Sequence, residues 1–187
     1  IWNEPNLARE WGGNPPNPEE YTRLLSIAYQ RIKEADPDAL VITGADGAPV
    51  WDMSRYGFID GDAPETVHPG LWRQARLNNL HGLYEVVDGI YQVRGYDLSN
   101  ISFIRGEKGW IVVDPLTAKE TAAAAIAFAR EHLGDKPVSA VIFTHSHVDH
   151  FGGVLGVLTP EEAKERNVPI IAPEGFVEEA TSENIIA

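Results

Sequence analysis

The stretch Val138-Ser139-Ala140-Val141-Ile142-Phe143-Thr144 is a nearly unbroken apolar run that leads directly into His145-Ser146-His147-Val148-Asp149-His150. A strand that does not alternate between apolar and polar positions has to be covered on both faces, as the inner strands of layered α/β sheets are. The surrounding chain supplies the cover. Ala122, Ala125, Ile126, Ala129 and Leu133 recur at helical spacing, with Thr117 as the expected cap, Glu120 three residues on, and Gly134 just past the end. Upstream, Gly89–Arg94 and Ile101–Arg105 read as strands, and Gly106-Glu107-Lys108-Gly109 turns the second into Trp110–Val113 as a hairpin. Downstream, Thr159 caps a short helix from Pro160 with Glu162 at the third position, and Val168–Ala172 reads as a further strand. Strands alternating with helices after an opening hairpin define the fold class as α/β.

The first 45 residues form a separate block of single βαβ-like character. Asn17 can cap a helix with Pro18 at its first position and Glu20 at its third, followed by an apolar stripe of Tyr21, Leu24, Leu25, Ala28 and Ile32. Asp36-Pro37 ends that helix, because the residue before proline is pushed out of the helical region. Leu40–Thr43 then reads as a buried strand. One such unit cannot cover both faces of its own sheet. Asp46 to about Gly70, with Pro49, Pro64 and Pro69, is expected to be irregular. No internal repeat is present.

Composition narrows the function classes. A net charge of −13 argues against nucleic-acid binding, which needs a basic face to displace counterions. No apolar stretch approaches the roughly 18 residues of a membrane span. The absence of cysteine excludes disulfides and thiolate metal sites. The length of 187 residues fits one domain and a fragment. The chain opens Ile1-Trp2, without methionine or a basic-plus-apolar leader, and is expected to be processed or cut from something longer.

The chemistry is concentrated in the histidine cluster. His145 and His147 are two apart at the end of an extended segment, so their side chains point the same way and can grip one ion together. Asp149 and His150 come next as the chain turns and present a carboxylate and an imidazole to a neighbouring position. Gly152-Gly153 lets the backbone turn tightly beside them. Imidazole nitrogen and carboxylate oxygen without sulfur suit zinc, with iron and manganese as substitutes. Each ion takes about three protein ligands plus a water, and this cluster offers two apiece. No histidine lies beyond His150, and Glu174, Glu178, Glu179 and Glu183 are poor candidates for the missing ligands.

The motif Thr144-His145-Ser146-His147-Val148-Asp149-His150 resembles the metallo-β-lactamase superfamily, whose fold is an αββα sandwich. Its flanks, Leu71–Asn78, His81–Val86, Tyr96–Asn100 and Ile170–Phe176, are similar to the bacterial alkyl sulfatases that hydrolyse dodecyl sulfate. That resemblance covers residues 46–187 and implies the N-terminal part of such a sandwich. It implies a site with two Zn2+ ions, one on His145 and His147, the other on Asp149 and His150, with Asp149 also orienting the water at the metals. It places the remaining ligands, a bridging glutamate and a last histidine, beyond Ala187. Asp114 matches the superfamily's early aspartate, which fixes the orientation of a ligand histidine; a turn aspartate before Pro115 is the plainer alternative. A linear alkyl sulfate substrate, a homodimer and a bacterial periplasmic or secreted location are also implied by resemblance only.

Trp2-Asn3-Glu4-Pro5 and Tyr29–Pro37 resemble retaining (β/α)8 glycoside hydrolases, in which the residue matching Glu4 is the general acid/base. The second carboxylate that retaining hydrolysis requires, about 5 Å away on a later strand, is missing. Residues 1–45 therefore read as a barrel fragment joined to a partial sulfatase domain over 46–187. Three functions compete: a zinc-dependent alkyl sulfate hydrolase left incomplete in this chain, a non-catalytic metal-binding fragment, and a glycoside hydrolase fragment using Glu4. Arg73 and Arg76 could attract a sulfate ester but read more simply as solvated. His81 and His132 read as structural, His68 as an uninformative loop residue, and Trp72, Tyr84, Phe103 and Trp110 as packing.

Overall fold

The protein is seen in a computed structural model that describes residues 40–185. Glu4 and the expected helix from Asn17 to Asp36 lie outside the described residues. The chain divides into two units, residues 1–54 and 55–187.

In the first unit, β1 (Val41–Thr43) pairs antiparallel with β2 (Pro49–Asp52), with Ile42 opposite Trp51. Two expectations are corrected here. Of the three residues of β1 only Ile42 is buried, and the segment expected to be irregular contains β2. Pro49 is tolerated as the first residue of its strand, where a missing N–H does least harm.

The second unit contains one sheet of six strands in the order β3-β4-β5-β6-β7-β8. These are β3 (Gly82–Val87), β4 (Ile90–Arg94), β5 (Ile101–Arg105), β6 (Trp110–Val113), β7 (Val138–Ile142) and β8 (Ile170–Ile171). The first four form an antiparallel meander, and β6 to β8 run parallel. Helix α1 (Pro69–Asn78) precedes the sheet, α2 (Lys119–Leu133) makes the crossover from β6 to β7, and α3 (Pro160–Glu165) makes that from β7 to β8. Helix α4 (Phe176–Ile185) comes after β8.

One face of the meander holds the core. Tyr91, Val93, Ile101, Phe103, Trp110 and Val112 alternate inward along their strands and are buried. Trp110 takes edge-to-face contacts from Tyr91 at 6.0 Å and Phe103 at 6.4 Å, and its Nε1 donates to the carbonyl of Gly134 at the end of α2. Side chains this large contribute roughly 1.5–3 kcal/mol each on burial. Along β7, Val138, Ala140 and Val141 are buried, so consecutive positions on opposite faces are covered.

The helix ends show where local pattern was enough. Thr159 and Glu162 make both bonds of the capping box expected for α3. His68 is not an idle loop residue: its Nδ1 accepts from the amide of Gly70 and caps α1, with Pro69 in the first turn. Thr117 does not cap α2 either. The N-cap is Ala118, which makes no side-chain capping bond, and the Thr117 hydroxyl donates to Asp97 instead.

Candidate metal centre

Strands β6 and β7 are adjacent and parallel, with Val113 opposite Ile142, so both carboxyl ends open on the same side. Crevices outside the carboxyl ends of parallel strands are the usual ligand sites of α/β sheets. The residue after β6 is Asp114, and the loop after β7 is the histidine cluster. Asp114 has a φ of 54°, a left-handed conformation that aspartate tolerates better than most residues. Its amide donates to the carbonyl of Ile142 at 3.0 Å, which continues the β6–β7 pairing by one step.

The Asp114 carboxylate organises the loop after β7. Oδ1 accepts from the amide of Thr144 at 2.8 Å, and Oδ2 accepts from the Thr144 hydroxyl at 2.7 Å and from His150 Nδ1 at 2.9 Å. Thr144 Oγ1 also lies 2.9 Å from His145 Nδ1. A hydroxyl has one proton, and the ionised carboxylate can only accept. Thr144 therefore gives its proton to Asp114 and accepts from His145. The network thus puts a proton on Nδ1 of both His145 and His150.

The four candidate ligands come together. The His145 ring centre is 4.7 Å from that of His147 and 4.0 Å from that of His150. Asp149 and His150 lie on a single 3-10 turn, Val148–His150, with Asp149 Oδ2 at 3.3 Å from His150 Nε2. His147 Nε2 is 3.5 Å from Glu183 Oε1 on α4, while Ser146 donates to Glu183 Oε2 at 3.0 Å. In the sequence Glu183 reads as a poor candidate, because nothing local links it to a loop so far upstream.

These donors fit a divalent cation in kind: three imidazoles and carboxylates on one side of one sheet, with no sulfur. They do not close around one ion. Among the described residues, no group of three or more His, Asp or Glu side chains is arranged to hold a metal.

Glycine makes the support of this loop close-fitting. A Cβ on Gly152 would fall 2.4 Å from the carbonyl oxygen of Thr117, and one on Gly153 would fall 2.2 Å from that of Pro115. The loop therefore rests directly on the backbone that enters α2, and Gly153 donates to the Leu116 carbonyl at 2.8 Å. Phe143, Phe151 and Phe176 flank it, with ring centres 5.1–6.0 Å apart.

Several of the remaining candidates have structural partners. His132 bonds the Phe128 carbonyl at 2.9 Å through Nδ1 and packs edge-on against the Phe128 ring. Trp72 Nε1 donates to the Gly61 carbonyl, and Arg94 lies over the Tyr84 ring. Arg73 and Arg76 line a cavity of about 490 Å³ with Ile59, Leu77 and Leu80, and no lining residue belongs to the histidine cluster.

Residues 94–184 match the family model described as the metallo-beta-lactamase superfamily. The chain is 53% identical over 148 residues to a linear primary-alkylsulfatase of Pseudomonas sp., covering 78% of this chain and 22% of that protein. It is 48% identical over 147 residues to an alkyl/aryl-sulfatase of Saccharomyces cerevisiae, covering 78% of this chain and 23% of that one. Among solved structures, the stereoselective inverting sec-alkylsulfatase Pisa1 from Pseudomonas sp. aligns with a TM-score of 0.74 and 41% identity, over 88% of this chain and 29% of that chain. The chain spans less than a third of the length of these three relatives. Residues 94–184 thus match the metallo-β-lactamase superfamily, in a chain that is homologous to the alkylsulfatases.

Proposed function

We propose that this chain carries the first half of the metal centre of an alkylsulfatase, acting on linear alkyl sulfate esters such as dodecyl sulfate and releasing an alcohol and sulfate. The observation that supports this most strongly is the Asp114 network, which engages Nδ1 of His150 directly and Nδ1 of His145 through Thr144, so that Nε2 is the atom each ring would offer an ion beside His147 and Asp149. His145 and His147 would hold one ion, and Asp149 and His150 a second. When bound, two Zn2+ ions would supply Lewis acidity, acidifying a water and offsetting the charge of the sulfate. The chain's own residues do the positioning. Asp114 and Thr144 fix the histidine tautomers, and the turn at Val148–His150 fixes where the Asp149 carboxylate can accept a proton or orient a water. The local charge must come from the metals, because the protein's overall field is acidic.

With two ligands per ion, these 187 residues are expected to bind zinc weakly and to turn over slowly or not at all. Zinc analysis beside sulfate release from dodecyl sulfate tests the reading. Weak zinc binding lost in the His145→Ala/His147→Ala variant supports it. Sulfate release by this chain at the rate of an intact alkylsulfatase would refute the incomplete site. The reading extends to a homodimer and a bacterial periplasmic or secreted location for the complete protein. It also treats residues 1–45 as a piece foreign to the sulfatase part. Independent sequencing across codons 40–50 of the intact gene tests that last point, since an unbroken reading frame there would remove an assembly artefact as the explanation.

A further inference from the structure

The turn that carries Asp149 and His150 is held by a residue fifty positions upstream. We propose that Ser99, anchored by Asp97, is a positioning residue of the metal centre: it fixes the Asp149 peptide, and with it the direction in which Asp149 and His150 face an ion. The inference rests on the proposed function, in which this cluster holds a divalent cation.

Ser99 is only 8% exposed, and its hydroxyl donates to the backbone carbonyl of Asp149. The neighbouring carbonyls of the turn are used within it. That of His147 accepts from the amide of His150 at 3.0 Å, and that of Val148 accepts from Gly152 at 2.8 Å. The Asp149 carbonyl instead faces the loop between β4 and β5, where Ser99 meets it. This bond fixes the peptide plane between the two candidate ligands of the second ion, so a rotation there would re-aim both side chains together.

Ser99 can do this only if its own loop is rigid, and Asp97 makes it so. This carboxylate is 7% exposed and accepts bonds from its own loop and from the start of α2. Oδ1 takes the Leu98 amide and the Thr117 hydroxyl, each at 2.7 Å. Oδ2 takes the amides of Thr117 at 3.1 Å and Ala118 at 3.3 Å, and the hydroxyl of Thr121. Buried carboxylates are stable when donors surround them, and here the donors sit at the entry to a helix, where its dipole favours negative charge. Asp97 therefore ties down the segment that leads into α2 by holding the amides of Thr117 and Ala118. Because the metal loop also rests on residues 115–118 through Gly152 and Gly153, three segments brace one another: the β4–β5 loop, the entry to α2, and the turn bearing Asp149.

The test uses the full chain and Co2+ as the probe, with visible absorption reporting coordination and a urea midpoint reporting folding. Ser99→Ala is expected to weaken Co2+ binding about ten-fold, the low end of what is typical when support around a ligand is lost, and to change the absorption envelope. Its urea midpoint should stay near that of the parent chain, and Ser99→Thr, which keeps the hydroxyl, should restore binding. If the parent binds Co2+ and Ser99→Ala binds it equally well, the positioning role is overturned and the metal reading stands. A fall in binding matched by an equal loss of folded protein, unrescued by threonine, would also overturn it, by making Ser99 merely structural. If the parent chain itself binds no Co2+, the metal reading fails first and the positioning role falls with it.

Discussion

Replacing Asp114 with asparagine tests the logic of the site in one step. Asparagine keeps the shape of the side chain and tolerates the φ of 54° at this position, so the backbone has no reason to move. What changes is the hydrogen-bond chemistry. Asp114 accepts three bonds, at 2.8 Å from the Thr144 amide, 2.7 Å from the Thr144 hydroxyl and 2.9 Å from His150 Nδ1. Asparagine has one carbonyl oxygen and an NH2 group, so with its oxygen on the Thr144 amide it turns donors towards Thr144 Oγ1 and His150 Nδ1. A bond to a charged acceptor is worth about 1.5–3 kcal/mol, and the residue is 8% exposed, so water only partly replaces the loss. We expect a net destabilisation of about 2 kcal/mol, below the sum of the parts because the new donors find acceptors in Thr144 Oγ1 and a re-protonated His150. The specific consequence is at His150, which must switch to the Nε2–H tautomer and lose the lone pair that would face a metal. Two-dimensional 15N–1H NMR of the histidine side chains reads this directly, and urea unfolding reads the stability. If His150 keeps Nδ1–H in the asparagine variant, or if its Nε2 carries the proton in the parent chain, the argument from Asp114 to ligand orientation is refuted.

The packing, a buried phenol and a helix cap are each open to a similar test. Phe103→Ala removes a side chain with no exposed surface from the centre of the sheet and should cost about 3–5 kcal/mol in urea unfolding; a loss under 1 kcal/mol would mean the core is not packed as described. Burial, and secondarily the charge of Glu131, raises the Tyr96 hydroxyl from 10.0 to about 12. Because the folded-state value lies above the unfolded one, the stability tied to the neutral phenol is complete below pH 10 and is lost as pH rises towards 12. Tyr96→Phe should flatten the fall over that window, and an unchanged slope would contradict the burial of the hydroxyl. Thr159→Ala breaks the capping box of α3 and should cost about 1 kcal/mol, seen as faster hydrogen exchange in that helix. The Glu162 carboxyl is held low first by the residue-159 amide, which alanine keeps, and second by the Thr159 hydroxyl, so the same substitution should weaken that lowering without abolishing it.

The parts legible in the sequence were those set by neighbours along the chain. The apolar run into β7, the Gly106–Gly109 hairpin and the Thr159 capping box depend on spacing and turn chemistry within a few residues, and each stands in the structure. So does the gathering of His145, His147, Asp149 and His150, because consecutive residues at a strand end cannot be far apart. The misses are contacts between distant segments. Thr117 has the composition of a helix cap, yet a carboxylate twenty residues upstream takes its hydroxyl, and the helix starts one residue later at an uncapped Ala118. The bonds from Ser99 to Asp149 and from Ser146 to Glu183 have no sequence signal, since they exist only once the sheet has brought loops together. His68 was missed for a different reason: histidine is an uncommon cap, and only its Nδ1 geometry shows it acting as one. Strand β2 was hidden by Pro49, whose strand-breaking tendency loses its force at a strand's first residue.

The central claim is that the loop after β7 is a nitrogen- and oxygen-donor metal centre. The most direct measurement is a Co2+ titration of the 187-residue chain, monitored by visible absorption, beside its His145→Ala/His147→Ala variant. The parent chain should bind weakly and saturably, without a sulfur charge-transfer band because no cysteine is present, and the variant should lose that binding. No saturable binding, or binding that persists when both histidines are gone, would contradict it.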